Sequence, residues 1–348
     1  MSQNKAVDVE RRIDDFLMDY ECCKQSDSLV LEAVKVFSDV INYSKWETAS
    51  ELLDMVKKNG RKIMKQMPME SSVGNIVRRI LKIIREEYMS LDKNKQDETY
   101  EESLHKIVTS EGNSDDYSKV LPRLGPAIVD HLNELELEVE TSSENISQQA
   151  VEHIHSNEII MTLGMSDTVL KFLKEAAKKR KFEVIVSSTE PSKDGNCMAL
   201  KLSKLKIRTT LIPDSAIFGI MSRVNKVIIG THTVMADGGL RSSCGTRLVA
   251  LAATHYSVPV LVLAPLYQLS PKYYCSPEQN SFNSFISPEG VLAYSDGDLL
   301  TKVHTYNPRY DYVPPDLVTL FISNSGGHAP SYVYRHLSEL YHPEDSEL

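Results

Sequence analysis

Beyond about residue 157 the chain repeats one unit: a short aliphatic run, a turn, and an amphipathic helical stretch. The runs are EIIMTL (158–163), EVIVSS (183–188), IRTTLI (207–212), KVIIG (226–230), PVLVLA (259–264) and TLFIS (319–323). Helical patterns follow at 167–180, 195–205, 214–224, 246–256 and 329–341, with Pro213-Asp214 as a start signal for the third. Aliphatic runs without polar alternation suit strands buried on both faces. Regular strand–helix alternation is the signature of a parallel sheet covered by helices. These residues therefore predict a Rossmann-like, doubly wound parallel-sheet domain of six or seven strands.

The front of the chain has a different period. Apolar residues recur every three or four positions over 28–44, 46–67 and 73–91, and again over 127–139 after Pro122 and Pro126. Gly60 interrupts the second pattern and weakens it locally. Residues 92–119 read as a polar helix followed by a loop. Only 135–139 hints at alternation, in an acidic context that does not suit a strand. The expected organisation is an N-terminal helical domain over 1–150 and an α/β domain over 151–348.

Charge separates the two parts as well. Residues 1–150 carry 20 basic and 29 acidic side chains, and the remainder carries 19 of each. An acidic front half repels phosphate, so neither direct nucleic-acid binding nor an anionic membrane surface is expected. The cationic KKRK at 178–181 reads as the solvated end of a helix. The longest apolar stretch, about 258–266, contains two prolines and has the length of a buried strand, not of a membrane span. The start, MSQNKAVDVERRIDDF, has no apolar core of the kind a secretory signal needs. Cys22, Cys23, Cys197, Cys244 and Cys275 form no CxxC pair and no metal-ligand spacing. Reduced thiols in the cytosol are the expectation, with no metal and no cofactor.

In doubly wound sheets, ligands gather at the carboxyl ends of the strands near the reversal of strand order. The loops to watch are therefore 164–166, 188–191, 213–214, 230–245, 265–266 and 324–328. The richest reads GTHTVMADGGLRSSCGT, 230–246. Its glycines permit close backbone approach, a helix follows that could help cradle an anion, and Arg241 could add a planar donor fork. The plainer reading is that Asp237-Gly238-Gly239 makes a tight turn. Neither GxxxxGK[ST] nor GxGxxG occurs in this loop. Cys244 ahead of a helix could be an activated thiol, although a buried structural cysteine is the commoner case. His232 has no carboxylate neighbour in sequence, and His153 and His155 fall on different helix faces. The glycine turn SNSGGHAP (323–330), with Asn324, either lines a pocket or caps a helix.

Three segments carry a resemblance: NEIIMTLGMSDTVLKFLKEAAKKRKFEVIV, MSRVNKVIIGTHTVMADGGLRSSCGT and DYVPPDLVTLFISNSGGHAPSYVYRHLSELYHPED. With them the chain resembles the family of alpha, beta and delta regulatory subunits of eukaryotic translation initiation factor 2B. That family is related to methylthioribose-1-phosphate and ribose-1,5-bisphosphate isomerases. The resemblance implies a catalytic cysteine in the loop after the first strand of those enzymes; Gly164 stands at that position here. It implies a catalytic aspartate where His232 stands, and a substrate-facing Asn-Lys pair where Ser242 and Ser243 stand. Without thiol and carboxylate, proton transfer by that route has no agents. The pocket is expected to be vestigial, comprising Gly164, His232, Asp237, Gly238, Arg241, Ser242, Ser243 and Asn324, with no catalytic residue. The resemblance further implies a cytosolic, non-catalytic subunit of the exchange factor for initiation factor 2. Its partners would be the alpha, delta, gamma and epsilon subunits and, through its alpha subunit, the substrate factor. A sugar-phosphate or nucleotide-sensing module and an active isomerase are the competing readings.

Overall fold

The computed structural model describes residues 11–18, 26–93, 117–273, 283–346 and 348. Cys22, Cys23 and Cys275, and most of the polar stretch expected over 92–119, lie outside them. The chain divides into two compact units, residues 1–140 with 340–348, and residues 141–339.

The first unit is built on α1 (Ser26–Tyr43), α2 (Ala49–Gln66), α3 (Ser71–Lys93) and the front of α4 (Leu124–Gln148). Thr48 caps α2 by accepting from Glu51 N at 3.3 Å, while the Glu51 carboxylate takes Glu47 N at 2.9 Å, so two donors at the helix start are satisfied. The helices bury Phe37, Leu52, Ile63, Ile76, Ile80 and Ile128. Gly60 does not interrupt α2. A Cβ there would lie 2.6 Å from Val77 Cγ1, so the glycine lets α2 and α3 approach closely. The stretch 135–139 is helical, and α4 runs well past the end expected at 139. The division differs from the expected boundary at 150. It falls at 140, inside α4, and residues 340–348 return to the helical unit, where Asp345 is buried against cationic side chains.

The second unit is a seven-stranded sheet. In chain order its elements are α5 (Ala150–His153), β1 (Ile159–Leu163), α6 (Asp167–Ala177), β2 (Glu183–Ser187), α7 (Asp194–Lys204), β3 (Arg208–Ile212), α8 (Ile217–Met221), β4 (Lys226–Gly230), β5 (Thr233–Val234), β6 (Leu240–Ser243), α9 (Thr246–His255), β7 (Val260–Leu263), α10 (Gly297–Leu300), β8 (Tyr310–Val313), β9 (Leu320–Ser323), β10 (Gly326–His328) and α11 (Val333–Leu340). The spatial order is β10-β9-β7-β4-β1-β2-β3, parallel except for the antiparallel edge strand β10. Each parallel strand coincides with an expected aliphatic run to within a residue or so. Ile160, Val184, Val186, Ile228, Leu263 and Ile322 meet Phe172, Leu173 and Met198 in one core. KKRK follows the end of α6, with Lys178 as its C-cap. Among the described residues no helix is long and apolar enough to cross a membrane.

Two features depart from the expected pattern. The stretch 230–246 is not an open loop but the hairpin β5–β6, which joins β8 in a separate three-stranded antiparallel sheet. The glycine turn at 324–328 forms β10, which pairs back on β9 around Gly326 at φ 129°.

Candidate functional site

From β1 the chain moves outward through β2 and β3, then returns to lay β4, β7 and β9 on the other side of β1. Strand order therefore reverses between β1 and β4, and the crevice at their carboxyl ends is where such sheets bind ligands. Two of the singled-out loops meet there. Gly164 follows β1 in the left-handed region at φ 65°, and Gly230 ends β4. A Cβ on Gly230 would stand 2.6 Å from Ser166 Oγ, the hydroxyl that caps α6 by accepting from Val169 N. Ser242 closes the same corner by donating to the Gly230 carbonyl at 3.1 Å. Ser243, beside it, is exposed.

His232 and Arg241 face each other across the hairpin. Arg241 Nη2 lies 3.3 Å from His232 Nδ1 and donates to Thr233 Oγ1 at 3.2 Å. The Tyr310 ring from β8 lies 5.0 Å from the His232 ring and 5.1 Å from the Arg241 guanidinium carbon. Arg241 is buried, and its fork is turned into the hairpin. At the hairpin tip Asp237 Oδ1 accepts from Gly239 N at 2.8 Å, and Oδ2 accepts from the Tyr312 hydroxyl at 2.6 Å. Gly238 sits at φ 81°, as a tight turn requires. Asn324 stands apart at the end of β9, where its side-chain oxygen accepts from Leu266 N at 3.0 Å. The vestigial-pocket residues thus fall into separate places. Gly164 and Ser242 adjoin Gly230, His232 pairs with Arg241, Asp237 and Gly238 form the hairpin tip, and Asn324 ties β9 to the β7 loop.

The anion-cradling backbone that the glycines suggested exists, and protein carboxylates occupy it. Asp311 of β8 accepts from Gly245 N at 2.7 Å and from Arg247 N at 3.4 Å, at the start of α9. There it meets the positive end of the helix dipole. In the loop after β2, Asp214 accepts from Thr189 N at 3.0 Å and Glu190 N at 2.6 Å, and also from the Ser187 hydroxyl. Backbone donors that could face a phosphate are thereby engaged from within the fold.

Cys244 is half-buried beside Asp311. Burial first, and the Asp311 charge second, push its thiol up to about 11. A thiol held protonated is a poor nucleophile, so the structural reading of this cysteine prevails over the activated one. Among the described residues no group of three or more His, Cys, Asp or Glu is placed to hold a metal. Sequence reasoning missed Tyr310, Asp311 and Tyr312. The alternation Tyr310-Asp311-Tyr312-Val313 was the available signal for a strand.

The fold and site together define a doubly wound α/β protein with a helical unit, in which Asp311 and Asp214 take up backbone donors of two loops. A sequence profile of the initiation factor 2 subunit family matches residues 23–330, and the chain belongs to that family. Translation initiation factor eIF2B subunit beta of Dictyostelium discoideum is 45% identical over 343 residues, spanning 88% of each chain. The subunit of that name from Schizosaccharomyces pombe is 38% identical, over 92% of this chain and 93% of its own. Ribose 1,5-bisphosphate isomerase of Archaeoglobus fulgidus is 29% identical over 206 residues, 58% of this chain and 63% of that enzyme. The solved tetrameric eIF2B-beta2-delta2 complex from C. thermophilum contains a chain of the same fold. It superposes with a TM-score of 0.71 at 25% identity, covering 96% of this chain and 95% of that one.

Proposed function

We propose that this chain is a non-catalytic regulatory subunit of the cytosolic guanine nucleotide exchange factor for translation initiation factor 2. In this reading its α/β unit serves assembly with a delta subunit, with gamma, epsilon and alpha subunits around them. Its acidic helical part contributes to docking the alpha subunit of the substrate factor, where opposite charge would speed encounter. The observation that carries the proposal is the chemistry of the switch point. In this reading Gly164 and His232 stand where the resemblance implies the isomerase cysteine and aspartate, and Asp311 and Asp214 take up backbone donors of the neighbouring loops. Such a crevice keeps the fold and has no acid–base pair for isomerisation.

Exposed apolar side chains fit an assembly role. Phe218 on α8 and Leu248 and Leu251 on α9 are each 46–49% exposed, with His255 and Tyr256 rings 5.0 and 5.3 Å from Phe218. Co-expression with delta and gamma subunits followed by native mass spectrometry tests the proposal. The expected outcome is a complex that incorporates this chain. A monodisperse lone monomer that ignores delta would sink it.

A further inference from the structure

Three cations of the helical unit converge on one short stretch of chain. Arg85 Nε and Nη2 donate to the two carboxylate oxygens of Asp345, each at 3.2 Å. Lys57 Nζ lies 3.2 Å from Asp345 Oδ1. Arg78 reads the backbone instead, with Nε donating to the Asp345 carbonyl at 3.1 Å and Nη2 to that of Ser346 at 3.4 Å. Arg85 Nη1 also reaches the Tyr117 hydroxyl at 3.1 Å and Glu344 at 2.9 Å. Asp345, Arg78 and Arg85 are at most 2% exposed. Burial pulls the Arg78 guanidinium below its ordinary value. Burial also works against Arg85, but the hydrogen bonds it donates to Asp345 and Tyr117 outweigh it and raise that group.

The stretch they hold has little secondary structure of its own. A single 3-10 turn, Pro343–Asp345, is closed by Asp345 N to the His342 carbonyl at 3.1 Å and by Ser346 N to the Pro343 carbonyl at 3.2 Å. Among the described residues these backbone bonds are local; no strand ladder ties the segment to the helices. Its attachments are side chains, with Tyr341 buried at one end, Asp345 in the middle, and Leu348 at the other, within 3.5 Å of a Cβ built on Gly60. Buried side-chain anchors, carbonyls read by arginine, and no ladder are the features of a bound peptide segment. Lys57 and Arg85 face the carboxylates of Asp345 and Glu344 while Arg78 holds the carbonyls, which suits an acidic ligand.

We propose that residues 341–346, with Leu348, are a tethered peptide ligand of the helical unit, anchored by Asp345, and that Lys57, Arg78 and Arg85 form a recognition site for an acidic, tyrosine-containing peptide. The chain fills its own site, and release of the segment opens it.

The test uses the full chain. Asp345→Asn protein is titrated with a fluorescein-labelled peptide of sequence YHPEDSEL and followed by anisotropy. The variant is expected to bind at least about tenfold more tightly than the wild-type chain, whose own segment competes, and to lose affinity as salt rises. The same peptide carrying the Asp345→Asn change is expected not to bind. Equal affinity of the two proteins, equal affinity for the two peptides, or no saturable binding by a folded variant would overturn the proposal. Hydrogen exchange on the wild-type chain decides the matter even where the variant does not fold. The amides of Asp345 and Ser346 should exchange at least about tenfold faster than those in the middle of α3, through local release. Exchange at the rate of α3 would make the segment an integral part of the core and defeat the idea.

Discussion

Cys244 shows how one residue's surroundings decide between two chemistries that its sequence position leaves open. A cysteine ahead of a helix suggested an activated thiolate. The structure half-buries it and puts Asp311 beside it, and burial first and the carboxylate second lift its thiol from the ordinary 9.0 to about 11. The folded chain therefore holds this proton to higher pH than the unfolded chain does. The resulting stability is fully present below about pH 9 and is lost as pH climbs to about 11. Iodoacetamide at pH 8 should label exposed Cys197 well before Cys244, as read by mass spectrometry. Asp311→Ala should accelerate Cys244 labelling, because the carboxylate that opposes the thiolate is gone. The same change removes a carboxylate from the start of α9 and should lower stability by about 1 kcal/mol in urea unfolding. Unchanged labelling in that variant would place the cause of the shift elsewhere.

At the scale of elements, Gly60 separates propensity from packing. On propensity alone, Gly60→Ala in mid-helix should stabilise by about 0.5–1 kcal/mol. With Val77 Cγ1 at 2.6 Å from the new methyl, overpacking reverses the sign, and a loss of about 1–3 kcal/mol is expected. Pairing it with Val77→Ala should recover part of that loss, giving a coupling of opposite sign in a double-mutant cycle. Additive effects would mean that α2 and α3 relax apart freely. The strands β1, β2, β4, β7 and β9 were legible because aliphatic runs buried on both faces need no partner information to be recognised, and the edge strand β3, largely exposed, was legible from its place in the strand–helix alternation. The hairpin β5–β6 was not. Its strands are only two and four residues long, its glycines read equally well as a loop, and the partner that makes it a sheet, β8, lies some 70 residues further along.

Considered whole, the molecule carries a doubly wound frame in which Asp311 and Asp214 take up backbone donors of two loops, and the non-catalytic reading proposed for it is testable. The purified chain should not convert methylthioribose-1-phosphate to the ketose. Nor should Gly164→Cys combined with His232→Asp restore turnover. Residue 164 sits at φ 65°, where a side chain costs about 1–2 kcal/mol. An aspartate at 232 would sit within reach of Arg241, which would pair with it. Measurable turnover by either protein would overturn the non-catalytic reading. The residues 141–339 that carry this frame and the helical residues with 340–348 answer to different forces. The first rests on a continuous aliphatic core, the second on helix packing and a buried carboxylate.

Local sequence was enough to determine the helical front and the parallel sheet with its order of elements. Each depends on residue type and spacing along a short stretch of chain. Tertiary structure alone decided that α4 continues past residue 140, that the glycine-rich stretch is a paired hairpin, and that Asp311 and Asp214 occupy the backbone donors near the crevice. It also decided that Asp345 is buried among Lys57, Arg78 and Arg85, more than 250 positions before it in the case of Arg85. The physical reason is common to all four. A buried hydrogen bond or ion pair depends on distance in space, and periodicity along the chain carries no record of which distant residue will arrive to complete it.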